Sequence, residues 1–226
     1  LRPPLPMQDL TSLPAEEIAR EVAGIIHREG EEPFDLANGP LFRAQLLRTG
    51  VNEHRLVLTA HHIVCDGWSS GILLRDLGAL YSAERNGRSA ALPVAVSYRS
   101  YLRQMATPEE GARQRGPEDY WAARFADSVP VVELPLDRPR PTVMSYRGGQ
   151  ENTSLPVEIQ SALRKLGARN GCTLYVTLLA AFQALVSWLA GQADVVVGIP
   201  LAGLAHLDAR DLVGHCVHTL PLVARV

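Results

Sequence analysis

Apolar and polar residues recur along this chain with two different periods, which predict a mixture of helices and strands. Apolar residues spaced three or four positions apart predict helices, and short β-prone runs predict strands. The predicted helices cover residues 14–29, 69–85, 97–105, 117–125, 156–170 and 173–190, and the predicted strands cover 41–47, 55–61, 145–155 and 194–199, with another inside 212–226. Strands and helices do not alternate regularly, so an α+β fold is favoured over a doubly wound sheet.

Capping and chain-breaking residues predict further details of these elements. Ser69 or Ser70 is expected to cap the second helix, because a hydroxyl can accept a hydrogen bond from the first turn. Pro221 is expected to interrupt the last strand, because proline has no backbone N–H to donate. Residues 1–14 and the charged stretch 106–116 are expected to be irregular.

The helix predicted at 173–190 is apolar nearly all round. A helix of this kind is usually buried, so we expect it to lie in the core. The alternative is a partner-binding surface.

A proline-rich stretch suggests where the chain divides. Residues 134–141 are LPLDRPRP, and three prolines in eight residues exclude a regular helix or a central strand. We therefore predict a boundary after residue 141, which gives one segment of residues 1–141 and another of residues 142–226.

Composition and charge limit the possible partners. The chain has 226 residues and a net charge of −2, so we expect neither nucleic acid nor an anionic membrane as a partner. No apolar run approaches the roughly 20 residues of a membrane-spanning helix. The three cysteines are far apart in the sequence, which predicts free thiols and a cytoplasmic location. The first residue is not methionine, and we expect the chain to be a piece of a longer one.

Residues 61–67, HHIVCDG, carry the candidate chemistry. Neighbouring side chains on a strand face opposite sides, so only one of His61 and His62 can face a given cleft. A neutral imidazole can take a proton from an amine or a hydroxyl. Gly67 is expected to allow a sharp turn where a Cβ would clash. The simpler interpretation is that both histidines are structural, with satisfied hydrogen bonds.

Five ordered motifs resemble those of the condensation domains of nonribosomal peptide synthetases, which belong to the chloramphenicol acetyltransferase-like superfamily. HHIVCDGWS resembles the family's H-H-x-x-x-D-G signature. The other matching segments are PFDL with GPLFR at 33–43, YW with LPLDRPRP at 120–141, the helix with GQADVVVGIPLAG at 173–203, and LVGHCVHTLPL at 212–222. The resemblance extends from about residue 33 to residue 226, and the order of the motifs makes it specific.

The resemblance implies a two-lobed α+β sandwich, with a partial N-terminal lobe at 1–141 and the beginning of a C-terminal lobe at 142–226. It implies an acyltransferase in which the amine of an aminoacyl group attacks a donor acyl or peptidyl thioester. Both groups would be attached to 4′-phosphopantetheine on donor and acceptor peptidyl carrier proteins, beside other synthetase domains. The domain itself would bind no cofactor and no metal.

The same resemblance assigns roles to individual residues. His62 would be catalytic, either by deprotonating the amine or by holding it and stabilising the tetrahedral intermediate. Asp66 would shape the loop through an ion pair, and the backbone of Gly67 would lie beside the reacting centre. The further candidate binding residues are His61, Trp68, Ser69 and His218.

The chain departs from the family's pattern at two positions and in one segment. His218 stands where the family has Asn, and Val223 stands where it has Arg. The family's R-H-x-x-L-R-T segment, whose arginine pairs with the motif aspartate, has no match in residues 1–32. We therefore expect Asp66 to lack its arginine partner and the chain alone to be poorly active.

Other functions remain possible. An epimerization domain shares the histidine motif, although Trp68-Ser69 and DRPRP favour condensation. A heterocyclization domain is excluded, because it has two aspartates in place of the histidines. A stand-alone acyltransferase of the superfamily is a further alternative. A degenerate domain that recruits carrier proteins without catalysis would account for His218 and Val223.

Metal binding is disfavoured, although two groups of metal-ligating residue types occur. Zinc accepts both histidine and cysteine ligands, but neither group has a usual zinc spacing. The two groups are His61, His62 and Cys65, and His215, Cys216 and His218.

Overall fold

The structure, a computed structural model, describes residues 3–145, 148–202 and 210–226. Its helices are α1 (Ala15–Glu31), α2 (Gly67–Arg85), α3 (Tyr98–Met105), α4 (Pro108–Arg124), α5 (Val157–Arg169) and α6 (Leu174–Ala190). Its strands are β1 (Met7–Asp9), β2 (Phe42–Arg48), β3 (His54–Ala60), β4 (Asp194–Ala202) and β5 (Val217–Arg225). The mixture of helices and sheets is the α+β architecture that the sequence predicts.

The chain divides into two compact units. The first contains Leu1–Ala112 and Ala202–Val217, and the second contains Arg113–Leu201 and His218–Val226. This division falls inside α4. The boundary predicted after residue 141 separates the two lobes that the family resemblance implies. It is a different division from the one into these compact units, and it stays a prediction.

A three-stranded sheet with α1 packed against it forms the base of the first unit. β1 is parallel to β2, and β2 is antiparallel to β3, with Phe42 opposite Ala60. The apolar face of α1 and the inner face of the sheet share one buried cluster, because both need to exclude water. The cluster consists of Leu10, Val22, Ile25 and Leu47. Since β3 ends at Ala60, His61 and His62 leave the sheet together.

Asp66 determines where α2 begins. Its Oδ1 accepts a hydrogen bond from the backbone N–H of Ser69 at 2.9 Å, which is the geometry of a helix N-cap. The expectation that Ser69 or Ser70 caps this helix is therefore wrong. Both serines lie inside α2, because the aspartate three residues before Ser69 supplies the acceptor.

A second buried cluster joins α3 to a segment that is distant in the sequence. Tyr101 of α3 packs with Leu212 and Cys216, and Val96 forms a parallel bridge with Leu212. Residues 212–216 therefore belong to the first unit and lie beside α3.

The second unit contains α5, α6 and the two-stranded sheet of β4 and β5. Thr173 caps α6 by accepting a hydrogen bond from the N–H of Val176 at 3.3 Å, as predicted. Gly191 ends α6 with a φ of 63°, a left-handed conformation that glycine adopts without strain.

Several predicted element bounds are wrong. Residues 7–9 form β1, because pairing with β2 overrides a weak local signal. α4 begins at Pro108, where proline fits the first helical turn, and it continues through Pro117. β5 runs through Pro221, which a two-stranded sheet tolerates because each strand has an unpaired edge. No strand forms at residues 145 and 148–155; the rest of that predicted strand, residues 146–147, lies outside the described ranges.

The expectation that α6 lies in the core is also wrong. Gln183 and Val186 are its buried residues, whereas Trp188 is 77% exposed. α5 packs against α6 but leaves most of the apolar surface of α6 uncovered. The other large apolar residues of α6 that are exposed are Tyr175, Val176, Leu178, Phe182, Leu185 and Leu189.

In the described ranges, no single helix has both the length and the apolar composition to cross a membrane. α5 and α6 meet that criterion only when they are taken together, as a pair bent by 101°.

Candidate active site

The two histidines that follow β3 have different partners. The Nδ1 of His61 accepts a hydrogen bond from the backbone N–H of Ile63 at 3.1 Å. The His61 ring also meets Phe34 edge to face, with centroids 5.8 Å apart. His62 is exposed, and its Nδ1 lies 3.1 Å from the Nδ1 of His215. His61 is thus in contact with Ile63 and Phe34, while His62 meets His215, which is 153 positions away.

His62 lines a cavity of about 480 Å³ in the first unit. The wall is mostly apolar, and it is formed where β2 and β3 face the first turns of α2. The residues that line the cavity with His62 are Phe42, Leu58, Ala60, Cys65, Asp66, Gly67, Ser70, Leu73 and Leu74. A cavity of this size and lining can hold a small ligand beside an imidazole.

Asp66 is buried and accepts three hydrogen bonds. Its Oδ1 accepts from the N–H of Ser69 at 2.9 Å and from the Ser69 hydroxyl at 2.8 Å, and its Oδ2 accepts from the N–H of Cys216 at 2.9 Å. Burial on its own raises the pKa of Asp66, but the hydrogen bonds from Ser69 and Cys216 outweigh it and lower the pKa below the usual 3.8. The carboxylate is therefore ionised at neutral pH.

The partners of Asp66 differ from those of the family's motif aspartate. The resemblance implies an ion pair with an arginine, and we expected this chain to lack that arginine. In the described part of the chain, backbone N–H groups and the Ser69 hydroxyl contact the carboxylate instead. Backbone N–H groups stabilise a buried carboxylate without a second charge.

Ser69 joins the motif loop to residues 214–216. Its hydroxyl oxygen lies 2.8 Å from the Asp66 Oδ1 and 2.8 Å from the Gly214 carbonyl oxygen, and it accepts from the Gly214 N–H at 3.0 Å. The single hydroxyl proton can be donated to one of these oxygens at a time. Ser69 is only 1% exposed, so its observed contacts are internal.

α3 holds the same segment from another side. The Tyr98 hydroxyl donates to the carbonyl oxygen of His215 at 2.9 Å. A Cβ on Gly214 would clash with the Tyr98 ring, so glycine allows the close approach. Burial raises the pKa of the neighbouring Cys216 thiol, and the Asp66 charge adds to this effect. The segment that carries His215 is therefore held by hydrogen bonds to Asp66 and Ser69 and by a hydrogen bond from Tyr98 of α3.

Gly67 and Trp68 lie at the start of α2. Nothing lies within 4 Å of the place where a Cβ of Gly67 would be, so the expectation of a clash there is wrong. The open space instead leaves the Gly67 backbone accessible from the cavity. The Trp68 indole N–H donates to the Arg210 carbonyl oxygen at 3.1 Å, and the ring is half exposed.

His218 lies on β5 in the second unit and is exposed. Its candidate role in binding stays a prediction. Across residues 3–145, 148–202 and 210–226, no group of three or more His, Cys, Asp or Glu side chains is arranged to hold a metal ion.

Sequence reasoning did not identify His215 as part of this site. It appeared in the sequence only as a possible metal ligand beside Cys216. The motif at 212–222 marks the segment as important, but no local pattern shows that His215 meets His62, because 153 positions separate them.

Solved structures define the class of fold to which this arrangement belongs. A four-domain nonribosomal peptide synthetase bound to AMP and glycine superposes with a TM-score of 0.80 at 23% identity, covering 100% of this chain and 17% of that one. The first condensation domain of the calcium-dependent antibiotic synthetase superposes with a TM-score of 0.75 at 24% identity, covering 100% of this chain and 51% of that one. The fold is the chloramphenicol acetyltransferase-like α+β fold of condensation domains.

Sequence comparison identifies the family. The condensation domain family model matches residues 4–226. Phosphinothricin tripeptide synthetase PhsC of Streptomyces viridochromogenes is 38% identical over 227 residues, which cover 100% of this chain and 21% of PhsC. The chain belongs to the condensation domain family of nonribosomal peptide synthetases, and the resemblance seen in its motifs is confirmed. It spans about a fifth of this relative and about half of the solved condensation domain.

Proposed function

We propose that this chain is part of a domain that joins a donor acyl or peptidyl thioester to the amine of an acceptor aminoacyl thioester. Both substrates would be carried on 4′-phosphopantetheine of peptidyl carrier proteins, with adjacent synthetase domains as further partners. The observation that carries this proposal is the placement of His62 on a mostly apolar cavity of about 480 Å³. Membership of the condensation domain family supports the same chemistry.

The reaction forms one bond and breaks one. The amine nitrogen attacks the thioester carbonyl carbon, so a C–N bond forms and the C–S bond breaks. The donor's phosphopantetheine leaves as a thiolate, and the proton lost from the amine ends on that sulfur. His62 would take this proton from the amine or hold the amine while charge develops, because an imidazole can both accept and donate a proton near neutral pH.

Asp66 has a positioning role in this proposal. All three of its hydrogen bonds go to groups of the chain itself, namely those of Ser69 and Cys216. Its lowered pKa makes it a poor proton acceptor at neutral pH. The carboxylate therefore fixes the loop that carries His62 and leaves the proton transfer to the imidazole.

The test uses the full-length synthetase polypeptide that contains this chain, with its donor and acceptor carrier proteins loaded with model acyl and aminoacyl groups. Condensed product is followed by intact-protein mass spectrometry. We expect His62→Ala to lower the rate of product formation by about 10²- to 10⁴-fold, since the variant loses the proton-transferring group. His54→Ala, which removes an exposed histidine at the start of β3, serves as the matched control and keeps the wild-type rate.

Carrier binding separates this proposal from the recruiting alternative. Wild-type product with a deep loss in His62→Ala, at unchanged carrier binding, supports amide formation. Carrier binding by the wild type without product from any of several substrate pairs favours a recruiting domain and rejects catalysis. A His62→Ala rate within twofold of wild type removes His62 from the mechanism.

A further inference from the structure

We infer that His215 is a positioning residue for His62, and that it acts by accepting a hydrogen bond from the Nδ1–H of the His62 ring. The inference rests on the proposed function and deepens it. The two Nδ1 atoms lie 3.1 Å apart. The rings meet edge to face, with centroids 5.2 Å apart and planes at 75°.

A contact between two Nδ1 atoms at this distance holds one proton, because one nitrogen must donate and the other must accept. A neutral imidazole has one N–H and one lone pair, whereas an imidazolium has N–H groups on both nitrogens. Once His62 has taken a proton from the amine, its Nδ1–H can only donate. His215 must then accept through Nδ1 and carry its own proton on Nε2.

The same hydrogen bond prepares His62 before the proton arrives. If the Nδ1–H of His62 donates to His215 in the neutral state, the Nε2 of His62 keeps its lone pair for the substrate amine. Neither ring needs to rotate when the amine proton is transferred to His62, because the Nδ1–H of His62 is the donor and the Nδ1 of His215 is the acceptor both before and after the transfer. The bond becomes charge-assisted, and therefore stronger, when His62 is protonated. His215 thus stabilises the protonated His62 that forms when the amine loses its proton.

His215 can hold the His62 ring only if its own backbone is fixed. The Cys216 N–H is bonded to the Asp66 Oδ2 at 2.9 Å, and the Gly214 N–H is bonded to the Ser69 hydroxyl at 3.0 Å. The Tyr98 hydroxyl is bonded to the carbonyl oxygen of His215 at 2.9 Å. Asp66 therefore links two parts of the site: it lies four residues after His62 and anchors the segment whose side chain meets His62.

Two substitutions of similar size separate the hydrogen bond from simple packing. In His215→Asn, the side-chain oxygen can occupy the place of Nδ1 and accept the bond. In His215→Leu, the side chain has nearly the same shape and no acceptor. His215 is exposed, so neither change removes a buried contact. Both variants are assayed in the full-length synthetase by single-turnover amide formation, at saturating and at half-saturating acceptor carrier.

We expect His215→Leu to lower the saturating single-turnover rate by about ten- to a hundredfold, which corresponds to the loss of one charge-assisted hydrogen bond. His215→Asn should retain the rate to within about threefold, and half-saturation by the acceptor carrier should be unchanged in both variants. In a His62→Ala background, His215→Leu should have no further effect, because His215 acts through His62.

Three results would overturn the inference. The first is a His215→Leu rate within twofold of wild type in an enzyme that loses its activity in His62→Ala. The second is an equal loss in His215→Asn and His215→Leu that persists in the His62→Ala background, which would indicate a merely structural role. The third is an experimental structure of the full-length chain with the two Nδ1 atoms more than about 3.5 Å apart, beyond hydrogen-bond distance.

Failure of the proposed function gives a different result. If the wild type forms no amide, the positioning role of His215 is rejected together with the catalytic role of His62. The hydrogen bond is then judged by the distance in the experimental structure alone.

Discussion

At the scale of single residues, the motif aspartate does more than begin a helix. Asp66 caps α2 through Ser69 and holds residues 214–216 through Cys216. In this chain, backbone N–H donors contact the carboxylate where the family's pattern has an arginine. The consequence is that one buried charge connects the loop carrying His62 to the segment carrying His215.

Replacing Asp66 by asparagine tests this connection. An amide has one oxygen and one NH₂ group, so it cannot accept from both Ser69 and Cys216, and its NH₂ would face an N–H donor. We expect Asp66→Asn to lower the free energy of unfolding at pH 7 by about 2 kcal/mol, measured by chemical denaturation. Asp119→Asn changes an exposed carboxylate on α4 and serves as the control. Equal stability of Asp66→Asn and wild type would show that the carboxylate is dispensable.

The effect of Asp66 on stability should also depend on pH. Burial raises its pKa, but the hydrogen bonds from Ser69 and Cys216 lower it more, so its folded-state pKa lies below the unfolded value near 3.8. Folding therefore favours the ionised form. The stability that Asp66 contributes is complete above the unfolded pKa and is lost as the pH falls below about 4, through the folded-state pKa. The gap between wild type and Asp66→Asn should narrow over that range.

At the scale of elements, residues 212–216 show why β5 begins at Val217 and not earlier in the chain. The sequence predicts a strand inside 212–226, and β5 starts within that range at Val217. The reason is that side chains form hydrogen bonds with the backbone of residues 214–216, just before β5. Ser69 bonds to Gly214, Tyr98 bonds to the carbonyl of His215, and Asp66 bonds to the N–H of Cys216. Those groups are not available to a neighbouring strand, so the ladder begins after them.

The close approach of α3 to this segment gives a second stability prediction. Gly214→Ala places a Cβ against the Tyr98 ring, and we expect a loss of about 1–3 kcal/mol in the free energy of unfolding, measured by chemical denaturation. Gly78→Ala is the matched control, since Gly78 lies within α2 with nothing within 4 Å of its Cβ position. Alanine is the better helix former, so this control should be neutral or slightly stabilising. Equal stabilities of the two variants would show that the segment can move away from α3.

At the scale of the whole molecule, α6 has an apolar surface that the described chain leaves largely uncovered. Phe182 is 50% exposed and Trp188 is 77% exposed. The all-apolar pattern predicts that this helix contacts other apolar groups. It does not show which residues provide the contact, because periodicity describes only the helix itself.

An exposed surface of this kind should make the 226-residue chain associate. We expect binding of the dye ANS and concentration-dependent self-association in sedimentation experiments, because large contiguous apolar patches are rarely left in water. The double variant Phe182→Gln and Trp188→Gln should reduce both. Val51→Gln removes an isolated apolar side chain that is 81% exposed, and it should change neither. A monomeric wild-type chain without ANS binding would indicate that the α6 surface is covered in solution.

Much of the fold and the identity of the family could be predicted from local patterns. The predicted bounds of α1, α5 and α6 agree with the structure to within two residues, because apolar spacing and caps such as Thr173 depend on residues close in the sequence. The order of the motifs identified the condensation domain family and the fold, which the comparisons confirm. The motif also selected His62, whose catalytic role is a proposal.

The arrangement around His62 depends on contacts that no local pattern contains. His62 meets His215 across 153 positions, and Asp66 meets Cys216 across 150. The short strand β1 likewise forms only because β2 is there to pair with it. Periodicity and capping act over a few residues, whereas these contacts arise when packing brings distant segments within hydrogen-bond distance. The sequence alone therefore predicted the family and the class of fold, and only the folded structure determined which groups contact His62 and which apolar surfaces stay uncovered.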